Sequence, residues 1–204
     1  MTPTTEKIPS MRVISGSSKG RRLVAPRGQG LRPTSDRVKE CLFNLIGEVE
    51  GRVVLDLFAG TGSLGIEALS RGAKRAVFVE RAREALRRMK QNLSQCGMED
   101  RAEILPKEVG RAIGLLGRRG ETFDLILMDP PYEEGWIRHT FEKLKRHPIH
   151  RSGALLVIEH SRREPLPEET GGWGLLKQRE VGDTVISILR KQGGPSDGTE
   201  EERR

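Results

Sequence analysis

The chain has 204 residues, 35% of them hydrophobic and 32% charged, with a formal net charge of +7. That length suits one well-buried domain with a small addition, and the composition is that of a globular protein rather than a disordered or fibrous one. No apolar run approaches the ~20 residues of a membrane span, the first residues lack a secretory apolar centre, and Cys41 and Cys96 are the only cysteines, which argues against a membrane protein, a secreted disulfide scaffold and a cysteine metal site. The expected compartment is the cytoplasm. His139, His147, His150 and His160 show no ligand spacing with carboxylates, and no metal is expected.

Residues 1–10 and 192–204 read as flexible tails. Between Met11 and Lys39 eight basic residues stand against one acid, Asp36, so this stretch accounts for the whole net charge. A basic arm of this kind either contacts phosphates or is solvated surface, and composition leaves both open. Arg12 to Gly16 and Lys19 to Val24 read as two short strands about a turn, and Pro26 to Pro33 is a Gly- and Arg-rich loop. Thr34 or Ser35 then caps a helix with Val38, Leu42, Leu45, Ile46 and Val49 at helical spacing, on which Lys39 and Glu40 form a surface pair. Residues 11–50 are thus a hairpin-and-helix extension that presents arginines.

From Val53 the pattern alternates. Strands are predicted over Val53 to Phe58, Arg75 to Glu80, Ala102 to Leu105, Phe123 to Met128 and Ala154 to Glu159. Helices fall between them at Leu64 to Arg71, Ala82 to Cys96, Val109 to Leu116 and Trp136 to Arg146, and Leu175 to Glu180 pairs with Thr184 to Arg190 around Gly182-Asp183. Residues 51–191 therefore predict a doubly wound α/β sheet ending in an antiparallel hairpin.

Two strand ends carry chemistry. Asp56-Leu57-Phe58-Ala59-Gly60-Thr61-Gly62-Ser63-Leu64-Gly65 runs from the first of these strands into the next helix, and its glycines match G-x-G-x-x-G. Alone the match is weak, since a tight turn packing a helix on a sheet reads the same. Glu80, at the end of the next strand, is placed to accept both hydroxyls of a ribose, as a dinucleotide or S-adenosylmethionine would require. Asp56 would oppose a pyrophosphate but can pair with the ammonium of a methionine moiety, which favours the methyl donor.

The second strand end is Asp129-Pro130-Pro131-Tyr132. Successive prolines fix the backbone and remove two N–H donors, leaving a rigid acceptor surface where α/β sheets bind ligands. The Asp129 carboxylate and Pro130 carbonyl suit the two N–H bonds of an exocyclic amine, and the Tyr132 ring suits the face of a base. The alternative is a Pro-Pro turn with Tyr132 as rim packing. An amine cradle has no role in hydride transfer.

These two motifs together resemble class I S-adenosylmethionine-dependent methyltransferases with a Rossmann-like fold that modify exocyclic amines. More closely, Arg12-Val13-Ile14-Ser15-Gly16, Gly20-Arg21-Arg22-Leu23, Gly30-Leu31-Arg32-Pro33-Thr34-Ser35-Asp36-Arg37-Val38-Lys39-Glu40 and Leu64-Gly65-Ile66-Glu67-Ala68-Leu69-Ser70-Arg71-Gly72 resemble the RsmD family. The resemblance implies transfer of a methyl group from S-adenosyl-L-methionine to N2 of one guanine, position 966, of 16S ribosomal RNA. It implies that Asp56, Ala59, Gly60, Thr61 and Gly62 hold the methionine part, Glu80 the ribose and Glu108 the adenine, with Phe58 and Arg81 also in the cofactor site. Asp129, Pro130, Pro131 and Tyr132 would be the catalytic turn. Arg12, Arg21, Arg22, Arg32 and Arg37 would bind flanking phosphates, with Asp36 orienting one of them. Glu159 would either bond the loop framing the site or end its strand in solvent. The expected partner is 16S ribosomal RNA within a small-subunit assembly intermediate, met by a monomer. The alternatives are an adenine-N6 methyltransferase acting on DNA or RNA, an RNA-binding protein without activity, and an NAD-dependent oxidoreductase.

Overall fold

The computed structural model describes residues 11–25 and 35–192. Strands β1 (Met11–Arg12) and β2 (Arg22–Leu23) pair with each other and precede helix α1 (Asp36–Ile46). There follow β3 (Val53–Asp56), α2 (Ser63–Ser70), β4 (Arg75–Glu80), α3 (Arg83–Cys96), β5 (Ala102–Pro106), α4 (Val109–Arg118), β6 (Phe123–Met128), α5 (Trp136–Arg146), β7 (His150–Ser161), β8 (Trp173–Val181) and β9 (Thr184–Lys191). The main sheet has the order β5-β4-β3-β6-β7-β9-β8, with β3 to β7 parallel and β9 antiparallel between β7 and β8.

The central strands are apolar along their length because both sheet faces are covered. On one face Val54, Phe78, Leu125 and Val157 meet Leu64, Leu69, Met89 and Leu93 of α2 and α3. On the other, Leu55, Val79, Ile126 and Ile158 meet Ile113, Leu116, Phe141 and Leu144 of α4 and α5. Gly65 makes the first contact possible, since a Cβ there would lie 2.2 Å from the Phe78 ring. The order reverses between β3 and β6, and this switch point puts the glycine loop beside the Asp129 turn.

Several boundaries differ from those expected. β3 stops at Asp56, whose side chain turns back to the loop, while β7 starts at His150, well before Ala154. The N-terminal strands shrink to two residues each because Ser15–Gly20 is used elsewhere: Ser17 N donates to Ser70 O at 2.8 Å and Ser18 N to Ser70 Oγ at 3.0 Å, capping the carboxyl end of α2. Gly16 is required there, because a Cβ would lie 1.8 Å from Ser70 O. Ser35, not the undescribed Thr34, caps α1. Of the predicted tails at 1–10 and 192–204 only Gln192 is described, its N–H donating to Gly172 O at 3.0 Å; the rest of both tails, the Pro26 to Pro33 loop and Arg32 lie outside the described residues.

The extension is fastened to the sheet domain. Met11, Val13, Leu23, Leu42 and Phe43 belong to the same buried cluster as α2 and α3. Lys39 is not a surface residue, as its sequence position suggested, but is fully buried. Its ammonium donates to Arg12 O and, at 3.2 Å, to Ser63 Oγ, and lies 3.8 Å from the equally buried Glu67 carboxylate. The physical reason is that partner: Glu67 also accepts from Ile14 N (2.7 Å), Ser15 N (3.0 Å) and Arg71 Nε (2.8 Å), and its charge needs a counter-ion in a medium without water. Burial pushes the Lys39 pKa down, with Glu67 and Asp36 opposing that shift.

Removing one partner of such a pair strands the other. Glu67→Ala is expected to cost about 3–5 kcal/mol of unfolding free energy in urea titrations; a cost below about 1 kcal/mol would show that the buried charges do not hold the extension in place.

Candidate active site

β3 and β4 deliver the two acids of the glycine loop. Asp56, 1% exposed, accepts from Gly65 N at 2.9 Å through Oδ2, and so ties the strand end to the first turn of α2. Its Oδ1 is buried with no hydrogen-bond partner. Burial pushes the Asp56 pKa up to about 7; the Gly65 N–H bond opposes this, and the nearby Asp129 and Glu80 carboxylates add to it. Glu80 Oε2 accepts from Gly60 N at 2.9 Å, and Oε1 from Arg81 N and Ala82 N, both at 2.7 Å. One carboxylate thus spans the loops after β3 and β4. Thr61 O accepts from Asn92 Nδ2 at 2.9 Å, while Asn92 Oδ1 accepts from Val24 N at 2.7 Å, so a buried amide on α3 joins the glycine loop to the extension.

The other candidates converge on a residue that sequence reasoning passed over. Trp136, the first residue of α5, meets the Phe58 ring edge-on at 5.8 Å and the His139 ring at 5.8 Å, and the Arg81 guanidinium lies 5.9 Å from its centroid. His139 Nε2 is 3.9 Å from Glu108. Glu108 itself caps α4, accepting from Gly110 N at 2.8 Å and Arg111 N at 3.0 Å. Burial raises its pKa, but those two bonds, with His139 and Lys143 nearby, outweigh it and leave the carboxyl below its ordinary value. An open cleft of about 550 Å³ lies against Glu108, Trp136, His139 and Lys143.

At the end of β6, Pro130 is buried, Asp129 partly so, and Pro131 and Tyr132 are exposed. Leu57 N donates to Leu127 O at 2.9 Å, which sets the glycine loop and the Asp129 turn side by side. Tyr132 bonds through its hydroxyl to Glu159 and Thr184, so Glu159 is a buried residue of the site and not a solvated strand end.

Arg12, Arg21, Arg22 and Arg37 are exposed on the extension. Asp36 pairs with Arg12 at 3.0 Å. Lys39 faces inward and adds nothing to this basic surface. Among the described residues no group of three or more His, Cys, Asp or Glu side chains is placed to hold a metal, and no helix is long and apolar enough to cross a membrane.

Sheet order, switch-point loops and acid positions define a Rossmann-like fold of the methyltransferase type. Among solved structures, a putative methyltransferase from Escherichia coli, yhhF, superposes with a TM-score of 0.76 at 30% identity, covering 91% of this chain and 99% of that one. An RNA methyltransferase from Salinibacter ruber, solved with S-adenosyl-L-homocysteine, shares the fold at a TM-score of 0.63 and 16% identity, covering 83% of this chain and all of that one. The model of the family described as "Conserved hypothetical protein 95" matches residues 11–190. The putative rRNA methyltransferase YlbH of Bacillus subtilis is 39% identical over 90% of this chain and its own full length, and ribosomal RNA small subunit methyltransferase D of Escherichia coli is 32% identical over 92% and 93%. The chain belongs to this family, the RsmD family.

Asp56 supplies a test of the site's electrostatics. Its folded-state pKa lies above the ordinary value of 3.8, so between about pH 4 and about pH 7 the folded chain binds the extra proton and the Asp56 contribution to stability falls as pH rises. Melting temperatures of wild type and Asp56→Asn across that range should show this component in wild type only; parallel curves would contradict the assignment.

Proposed function

We propose that the chain transfers a methyl group from S-adenosyl-L-methionine to N2 of a single guanine in 16S ribosomal RNA, meeting it as a monomer within a partly assembled small subunit. The observation that carries the reading is the rigid Asp129-Pro130-Pro131-Tyr132 turn set against the glycine loop at the switch point. The relatives named as rRNA and small-subunit methyltransferases support the substrate class.

The residues fit the methyl donor. The buried Asp56 Oδ1 is an acceptor without a partner, suited to an ammonium, and Ala59, Gly60, Thr61 and Gly62 shape the backbone around it. Glu80 already takes three backbone N–H bonds out of roughly four lone-pair sites, so ribose hydroxyls would share or displace those donors. Phe58, Arg81 and Trp136, with Glu108 beyond His139, form the wall expected to face the adenine. When bound there, S-adenosyl-L-methionine supplies an electrophilic methyl group on its sulfonium.

The chain's own task is the nucleophile. The lone pair on guanine N2 is delocalised into the ring. Acceptance of its two hydrogens by the Asp129 carboxylate and the Pro130 carbonyl turns that lone pair towards the methyl group, and Asp129 takes the proton released as the N–C bond forms. Positioning of this kind can supply ~7–11 kcal/mol of the barrier. Stacking on Tyr132 adds ~1–3 kcal/mol and requires a base that is looped or flipped out. Arg12, Arg21, Arg22, Arg32 and Arg37 hold the flanking phosphates.

Labelled methyl transfer to 16S RNA in partly assembled small subunits, followed by separation of the nucleosides, is expected to put label in N2-methylguanosine. Asp129→Ala should bind the methyl donor normally yet lose transfer by several orders of magnitude. Label in N6-methyladenosine would instead favour the adenine alternative, and near-normal turnover by Asp129→Ala would remove its assigned role. Replacing Arg21 and Arg22 together by Ala should weaken RNA binding and shallow its dependence on salt; an unchanged slope would show that the extension does not contact phosphate.

A further inference from the structure

Tyr132 is 38% exposed, yet its hydroxyl is held on the protein. It donates to Glu159 Oε1 at 3.3 Å and lies 3.2 Å from Thr184 Oγ1. Glu159 lies on β7 and Thr184 opens β9, and they are 4% and 5% exposed. Two nearly buried polar groups from adjacent antiparallel strands thus meet one phenol. The next residue is held from the same side: Glu133 N donates to Glu164 Oε2 at 2.7 Å, and Glu133 Oε1 accepts from Ser161 Oγ at 3.3 Å. Glu133 has φ of 60°, the one positive value at a non-glycine among the described residues. Such a conformation persists where the surroundings enforce it, and it clusters at ligand sites.

Core packing does not explain this arrangement. A buried tyrosine bonds its hydroxyl to avoid stranding a polar group, but this ring is 38% exposed and only its hydroxyl end reaches in to two nearly buried partners. A phenylalanine would cover the same apolar area. What the two bonds add is a fixed ring: a tyrosine turns about two side-chain torsions, and anchoring the distal oxygen removes freedom in both. Burial pushes the phenol up to about 12, so it remains a donor to Glu159 at any working pH.

We propose that Glu159 and Thr184 are positioning residues of the transfer site, acting through the Tyr132 hydroxyl to fix the ring face on which the acceptor base stacks. The proposal rests on the base-stacking reading of Tyr132 given above, and it gives the C-terminal antiparallel strands a role in the reaction as one wall of the base site.

The test is a mutant cycle on the full chain with small-subunit RNA as acceptor, using Tyr132→Phe, Thr184→Val and the double variant, with Glu159→Gln and Tyr132→Ala alongside. Thr184→Val should reduce kcat/KM for the RNA roughly three- to tenfold, the size of one lost hydrogen bond, Tyr132→Phe, which removes both bonds, at least as much, and both should leave the affinity for S-adenosyl-L-methionine unchanged. The double variant should be no worse than Tyr132→Phe alone, because the phenylalanine already removes the Thr184 bond. Glu159→Gln keeps an acceptor and should stay within about twofold of wild type. Full activity in Tyr132→Phe, or additive losses in the double variant, would overturn the proposal while leaving the stacking role intact. Full activity in Tyr132→Ala would remove the stacking role itself, and the positioning roles with it.

Discussion

Glu67 is a carboxylate without exposed surface in the middle of an otherwise apolar helix, and the way its charge is met fixes both halves of the site. Two backbone N–H groups, one arginine and one lysine converge on it, and all but Arg71 come from the extension. The same helix begins at the glycine loop and ends under the Ser15–Gly20 turn. The extension that would meet RNA therefore grips one rigid rod at both ends, and the loop that would take the cofactor leads into the first of them. Lys39 strengthens this arrangement by bonding Ser63, the first residue of the rod, and the Arg12 carbonyl at once. A buried ion pair is weak as a source of net stability, but it is costly to leave half-made, and that suits it to fixing one geometry.

The other half of the architecture follows from the sheet. Parallel strands covered on both faces bring their carboxyl ends to one edge, and the reversal of order between β3 and β6 opens a crevice there. Asp56, Glu80 and Asp129 all lie at strand ends on that edge, close enough that Asp129 and Glu80 help to raise the Asp56 pKa. Three acids in one crevice are expensive without cationic company, and the ammonium and sulfonium of a methyl donor are the charges that would relieve them.

The central strands were legible because burial on both faces writes continuous apolar runs, and the Asp129 turn because prolines directly after such a run have few other uses. Strand ends were less so: the pattern cannot show that the Asp56 side chain leaves the ladder to bond Gly65, or that the Ser15–Gly20 turn serves a distant helix end. Lys39 was misread through its exposed neighbour Glu40, although it falls three and four residues before the buried Leu42 and Phe43. Only its partner, far along the chain, explains a charge on that stripe. Glu67 carried a signal, being the single charge in Ser63 to Ser70, as did Asn92 beside the buried Met89 and Leu93. Trp136 carried none, since its role comes from Phe58, Arg81 and His139 meeting it in space.

The most direct test of the account is made in cells. Small-subunit ribosomal RNA from cells without this chain would be digested and its modified nucleotides mapped by mass spectrometry against RNA from cells that have it. The account predicts that one guanine loses its N2 methyl group and regains it when the chain is restored. An unchanged guanine pattern, or a methyl group lost from adenine instead, would contradict it.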